Sequence, residues 1–132
     1  EHFINAVGED LSGRLIPAVE VRLRGLYRLL PPDYYEAADN LADFCDRIEK
    51  QYGVRPVIYC TERTYKNIVV SDSRFNKDKI WYESLFSKPD EDMDWTFWTY
   101  TNRVKFSFYE SGEYLHMTVF NGSEDDFKKL IL

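Results

Sequence analysis

The stretch Leu15–Arg24, LIPAVEVRLR, decides how the chain is expected to fold. An apolar run through Val19 passes into alternating polar and apolar residues, which is typical of a β-strand that begins buried and ends exposed. Because strand side chains alternate between two faces, Glu20 and Arg22 share one face at the carboxyl end of this strand. In α/β proteins, reactive groups collect at such ends. A structural ion pair and a catalytic pair are both open interpretations of these two residues.

The composition limits the classes of protein and partner. The chain has 132 residues, of which 44% are hydrophobic, and this suffices for the core of one domain. Its net charge of −6 argues against nucleic acid and anionic membrane surfaces as partners. No apolar run is long enough to span a membrane. Aromatic residues make up 17% of the chain, enough to line a sugar groove or to fill a core.

Cysteine and histidine residues give no sign of a disulfide scaffold or a metal site. Cys45 lies in a helical pattern and Cys60 at a strand end, so both are predicted to be small buried residues. His2 and His116 are far apart, and no cluster has metal-ligand spacing. We therefore expect no metal and no other cofactor.

Hydrophobic periodicity predicts alternating strands and helices. The clearest helix has Asp33 as its N-cap, extends to Tyr52 and ends at Gly53. Shorter helices are expected over residues 1–7, 62–70 and 124–132. Strands are predicted at Leu15–Arg24, Val54–Cys60, Ile80–Glu83, Trp95–Thr101 and Tyr114–Phe120, with a half-exposed strand and a turn within Asn102–Tyr114 and a connection at Gly25–Pro32. This order predicts an α/β sheet with parallel pairing, either open or part of a barrel.

Several segments share their order and spacing with the motifs of one enzyme family. Ile16–Val21 is similar to LPPVLDVE, Tyr52–Tyr59 to YGVKPIIYT, and Ile80-Trp81 to LWIA. Phe86–Pro89 with Trp95–Arg103 is similar to FSKP and WTFWQYSNR, and Val119–Ser123 is similar to VDLNVFNGS. On these motifs the chain resembles the family-25 glycoside hydrolases, muramidase-type lysozymes with a modified (β/α) barrel. The resemblance implies that residues 1–132 form a single lysozyme-like domain in which the first strands of that barrel are missing.

The resemblance also shows departures at the catalytic positions. It implies that Glu20 stands at a catalytic carboxylate position, whereas Arg22 replaces the general acid and His116 replaces an aspartate. Arginine cannot donate a proton at working pH, because its pKa lies above about 12. Histidine can donate one in principle, although a lone strand histidine is more often structural. Beside Arg22, Glu20 suits the role of base or nucleophile better than that of acid.

Aromatic positions match the family better than the acidic ones. The resemblance implies that Tyr59, Trp81, Trp98 and Tyr100 lie near strand ends that face the sugar groove, where aromatic rings stack on sugar rings. Within Trp95–Thr101, alternation puts Trp98 and Tyr100 on the face opposite Thr99. Either of the two faces can be the buried one.

The resemblance implies a peptidoglycan N-acetylmuramidase that hydrolyses β-1,4 glycosidic bonds. Peptidoglycan or a related glycan is then the expected partner, and a secreted or cell-envelope location follows from the same resemblance. Arg22 and His116 support the alternative of a non-catalytic descendant that binds glycan or another partner, so activity is left open. Unpaired edges of a five-stranded piece further predict a homodimer or a missing N-terminal segment.

Overall fold

Five strands form one sheet in which the spatial order follows the chain order. The first four strands are parallel, and the fifth pairs antiparallel with the fourth. The strands are β1 (Ala18–Val21), β2 (Val57–Thr61), β3 (Ile80–Glu83), β4 (Phe97–Val104) and β5 (Leu115–Phe120), and the α-helices are α1 (His2–Val7), α2 (Tyr34–Tyr52), α3 (Glu62–Thr64) and α4 (Glu124–Lys128). The predicted α/β class is confirmed.

The computed structural model describes residues 2–23, 33–108 and 112–132. Predictions for Glu1, Arg24, the connection Gly25–Pro32 and residues 109–111 lie outside these ranges. In the described part of the chain, no helix has the length and apolarity that crossing a bilayer requires.

Helix α2 covers one face of the sheet. The Asp33 side chain accepts hydrogen bonds from the first helical N–H groups, and Gly53 ends the helix at a φ of 72°, a left-handed conformation that favours glycine. The buried stripe of α2 packs against the strand residues that point toward it, and these are Ile58, Cys60, Ile80 and Tyr82. The predicted long helix is thus confirmed, and it defines the helix-covered face of the sheet.

Both cysteines belong to the core beneath α2. Cys45 and Cys60 are buried free thiols, as the sequence predicts. Burial raises the pKa of each thiol to about 12. Thiols in this state are poor nucleophiles, so these cysteines serve packing.

Parallel pairing was expected throughout, and this is wrong for β5. The predicted strand Trp95–Thr101 continues into the next predicted segment and forms a single strand, β4, that ends at Val104. A parallel return needs a crossover of a dozen or more residues, and only residues 105–114 separate β4 from β5. The chain therefore returns as a hairpin.

Two predicted helices differ in detail from the structure. The predicted helix 62–70 begins as α3 and continues as a π-helical turn, Tyr65–Val69. Helix α4 begins at a capping box formed by Ser123 and Asp126 and ends at Lys128, earlier than expected. Residues after α4 pair with the segment before β1, since the Ile16 N–H donates to the Leu130 carbonyl at 2.8 Å. Leu130 is thus buried beside Ile16, and helix α4 does not continue to the predicted end.

Candidate functional site

Strand register gathers polar and aromatic side chains on the face opposite α2. Glu20, Tyr59 and Trp81 are aligned neighbours across β1, β2 and β3. Glu83 and Thr99 are partners across β3 and β4, two residues further along. Since side chains alternate along each strand, these five residues project from one face, which we call the carboxylate face. Arg22 lies on the same side as Glu20, as predicted, and extends this face beyond the carboxyl end of β1.

A single guanidinium joins the two carboxylates of this face. Arg22 Nε donates to Glu20 Oε1, and Arg22 Nη2 lies 3.4 Å from Glu83 Oε2. Burial disfavours the charged guanidinium, but the two carboxylates outweigh that effect, so the pKa of Arg22 is raised. One positive charge thus faces two acidic side chains at the carboxyl edge of the sheet.

Tyr59 connects the carboxylates to the aromatic part of the face. Its hydroxyl donates to Glu83 Oε2, and its ring lies 5.0 Å from the Trp81 ring, between centroids. The Arg22 guanidinium carbon lies 5.8 Å from the centroid of the Tyr59 ring. Burial and the hydrogen bond to Glu83 raise the pKa of Tyr59 to about 12, so its hydroxyl keeps its proton at neutral pH.

Trp81 is oriented by a chain of hydroxyl groups. Its indole N–H donates to Thr99 Oγ1 at 2.9 Å, and that oxygen lies 2.7 Å from Thr118 Oγ1. Thr99 stands where the resembled motif has glutamine, and it is 1% exposed. The half-buried Trp81 ring is therefore held as a fixed wall beside Tyr59.

An apolar hollow lies below these groups, toward the amino ends of the strands. It has a volume of about 90 Å³, and Ile16, Val57, Trp81, Phe97 and Leu130 contribute to its lining. A separate cleft of about 250 Å³ opens beside Arg22 and Thr61. The carboxylate face thus combines aromatic rings with an apolar hollow beneath them.

Two of the predicted groove aromatics lie elsewhere. Trp98 pairs with Tyr82 in the register and packs against the helix-covered core, where its indole N–H donates to the Ser84 carbonyl at 3.0 Å. The centroids of the Tyr100 and Trp98 rings lie 5.7 Å apart. Trp98 and Tyr100 thus lie on the face opposite Tyr59 and Trp81, and their contact with a sugar stays a prediction.

His116 also lies apart from the carboxylates. It is exposed on β5, with three strands between β5 and β1, and by alternation it faces the same way as Thr118. The structure brings Glu20, Arg22, Tyr59 and Trp81 together in one contact network and leaves His116 outside it.

Glu83 is the site residue that the sequence analysis missed. It is the last residue of β3, and only 13% of its side chain is exposed. The available signal was its period-2 relation to Trp81 at a strand end, the same pattern that singled out Glu20 and Arg22.

Metal chemistry receives no support from the described ranges. Within residues 2–23, 33–108 and 112–132, no group of three or more histidine, cysteine, aspartate or glutamate side chains could hold a metal ion.

Solved structures share this fold. The family 25 glycosyl hydrolase from Bacillus anthracis is 28% identical, with a TM-score of 0.76, over 90% of this chain and 55% of that chain. A bacterial lysozyme from Streptomyces coelicolor is 21% identical, with a TM-score of 0.71, over 98% of this chain and 63% of the other. A muramidase from Trichobolus zukalii is 17% identical, with a TM-score of 0.69, over 92% and 58%. The last two matches show the fold alone.

The chain spans between 55% and 63% of the lengths of these three structures. No protein with curated function matches it. A family model described as "Glycosyl hydrolases family 25" matches residues 1–107, which is most of the 132 residues. The predicted α/β fold of the family-25 lysozyme type is confirmed, and the chain belongs to glycosyl hydrolase family 25.

Proposed function

We propose that the carboxylate face binds the glycan strands of peptidoglycan and carries out muramidase-type hydrolysis of their β-1,4 glycosidic bonds. The observation that carries this proposal is the contact network at the carboxyl edge of the sheet. Glu20 and Glu83 flank Arg22, while Tyr59 and Trp81 form an aromatic wall directly beside them. Family membership supports the same reaction.

Each group has a distinct task in this proposal. Tyr59 and Trp81 stack on the apolar faces of sugar rings, and the protonated Tyr59 hydroxyl adds a polar contact. Glu20, whose side chain is 46% exposed, is within reach of a bound glycan and of water. Its carboxylate acts as the base or nucleophile that glycoside hydrolysis requires. Trp98 and Tyr100, which lie on the other face, are not assigned a task in this proposal.

The proposal places the protein where peptidoglycan is, outside the cell or in the cell envelope. Its partner is an extended glycan strand, which fits an open rim better than an enclosed cavity. This chain spans only part of the length of its structural relatives. Hydrolysis by this chain is therefore a proposal, which its contact network and its family membership support.

Glycan binding without hydrolysis is the second candidate. The observation that favours it is the guanidinium at the expected acid position, in direct contact with Glu20. In that case Arg22 holds the carboxylate in an ion pair, while the aromatic wall still binds sugar.

The two candidates are separated by incubating the protein with purified insoluble peptidoglycan and measuring reducing ends and protein retention together. We expect the wild type to release reducing ends and Glu20→Gln to lose that release by about 10²-fold or more. Glu91→Gln, an exposed carboxylate before β4, is the matched control and should keep wild-type activity. Retention without release establishes the binding protein instead, and neither retention nor release contradicts both candidates.

A further inference from the structure

Glu83 lies between the Tyr59 hydroxyl and the Arg22 guanidinium. A single oxygen of its carboxylate, Oε2, accepts the hydrogen bond of the Tyr59 hydroxyl and lies 3.4 Å from Arg22 Nη2. Glu83 ends β3, where it pairs in register with Thr61 and Thr99, and only 13% of its side chain is exposed. The carboxylate is therefore held at the edge of the sheet and is largely turned away from solvent.

Both neighbours stabilise the carboxylate form of Glu83. A hydrogen-bond donor and a cation close to a carboxyl group favour its ionised state over its protonated state. An ionised carboxylate only accepts hydrogen bonds, so the proton of the Tyr59 hydroxyl points toward Glu83. Glu83 thus serves as a fixed acceptor on the protein side of the face.

The Tyr59 side chain is held at its hydroxyl and on its ring. Glu83 binds the hydroxyl, the Trp81 ring centroid lies 5.0 Å from the Tyr59 centroid, and the Arg22 guanidinium carbon lies 5.8 Å from it. A hydroxyl group has one proton to donate and can also accept hydrogen bonds. Because that proton is engaged by Glu83, the Tyr59 oxygen can meet a ligand only as an acceptor.

We infer that Glu83 positions Tyr59 as a hydrogen-bond acceptor for a hydroxyl or N–H group of the bound glycan. The inference rests on the proposed binding of glycan to the carboxylate face. Because Glu83 fixes Tyr59 before the sugar arrives, less conformational freedom is lost on binding. A hydroxyl that donates to a carboxylate is also the stronger acceptor, since linked hydrogen bonds polarise one another. Glu83 is thus a positioning residue that acts through Tyr59.

A double-mutant cycle tests this role with the wild type, Glu83→Met, Tyr59→Phe and the double variant. Binding of soluble peptidoglycan fragments is measured by tryptophan fluorescence immediately after mixing. We expect each single variant to weaken binding by about three- to tenfold, the loss of about one hydrogen bond. The double variant should bind within about twofold of the weaker single variant, because both changes remove the same interaction.

Two further variants show whether the effect belongs to the acceptor oxygen of Glu83. Glu83→Gln keeps an oxygen that can accept from Tyr59, so it should bind more tightly than Glu83→Met. Glu91→Gln, the exposed carboxylate before β4, is the matched control and should bind as the wild type does.

The outcomes separate failure of this inference from failure of the proposed function. If the wild type binds no fragment, the proposed function fails and the role of Glu83 fails with it. If the wild type binds, only the role of Glu83 is overturned when Glu83→Met binds equally well or when the two losses multiply in the double variant. Should Glu83→Met fail to fold, Tyr59 is titrated by ¹³C-tyrosine NMR in Glu83→Gln. Loss of the charge should lower the pKa of Tyr59 from about 12, and an unchanged pKa contradicts the inference.

Discussion

Two arginine clusters lie at opposite edges of the same sheet and differ in what surrounds them. At the amino edge, Arg55 contacts Asp46 at 2.7 Å, Glu49 at 3.2 Å and both oxygens of Asp78. The Asp78 side chain is 1% exposed, and α2 supplies the other two carboxylates. This cluster ties helix to sheet within the protein.

The Arg22 cluster at the carboxyl edge has the opposite character. Its Glu20 side chain is 46% exposed, and the adjacent rings of Tyr59 and Trp81 lie beside the cluster and leave it open to solvent. An exposed ion pair contributes little to stability, so this arrangement is explained better by the chemistry of an open face. The two clusters therefore differ in their least exposed carboxylate, which is 1% exposed in Asp78 and 13% exposed in Glu83, and in the aromatic rings that lie beside Arg22.

The largest effect is expected when the structural cluster is broken. Arg55→Met leaves the Asp78 carboxylate buried without its bidentate partner, and we expect the free energy of unfolding to fall by about 2–4 kcal/mol. Urea denaturation measures this change. Arg47→Met removes an exposed pair with Asp43 and should cost no more than about 0.5 kcal/mol. Equal losses in the two variants would contradict the structural role of Arg55.

A smaller effect on stability and a clear effect on activity are expected at the other edge. Arg22→Met should change the free energy of unfolding by no more than about 1 kcal/mol, because the Arg22–Glu20 pair is partly exposed. Release of reducing ends should fall about tenfold, since Glu20 and Glu83 lose the group that holds them together. Denaturation and hydrolysis measured on the same preparation check both. A stability loss as large as that of Arg55→Met would remove the contrast between the clusters.

The smallest effect concerns the alkaline range. The pKa of Tyr59 is about 12 in the folded protein and about 10 in an unfolded chain. Between these values the unfolded chain releases its proton first, so stability falls as the pH rises. Because Tyr59 is half-exposed, its share is about 1 kcal/mol or less between pH 9 and pH 11.

Urea unfolding at those two pH values tests this share. Tyr59→Phe should lose less stability between pH 9 and pH 11 than the wild type does. Tyr35→Phe, at a residue that is 88% exposed, serves as the control and should behave as wild type. An identical pH dependence in all three proteins would contradict a raised pKa of Tyr59 in the folded protein.

Local patterns predicted the elements that depend on local physics. The α2 helix has an N-cap, a clear apolar stripe and a terminal glycine, and each of these acts over a few residues. The common side of Glu20 and Arg22 follows from alternation within one strand. The direction of β5 was missed because a hairpin and a crossover differ in where the chain returns, which only the short connection decides.

Long-range register determined what the sequence left open. Glu83 meets Arg22 across 61 positions, and this contact exists only because β2 lies between β1 and β3 in parallel register. Alternation separated Trp98 from Thr99 but could not say which residue faces α2 until the pairing of Trp98 with Tyr82 was known. A homodimer, a missing segment and a single domain over residues 1–132 stay predictions.

The central claim is that glycan binds the carboxylate face, and the indole N–H signals of Trp81 and Trp98 test it most directly. These two groups report from opposite faces, since Trp81 donates to Thr99 and Trp98 donates to the Ser84 carbonyl. We would titrate the ¹⁵N-labelled protein with soluble peptidoglycan fragments and follow both signals by NMR. A saturable shift of the Trp81 signal with an unchanged Trp98 signal is the predicted result. A shift confined to Trp98, or no shift of either signal, would contradict the claim.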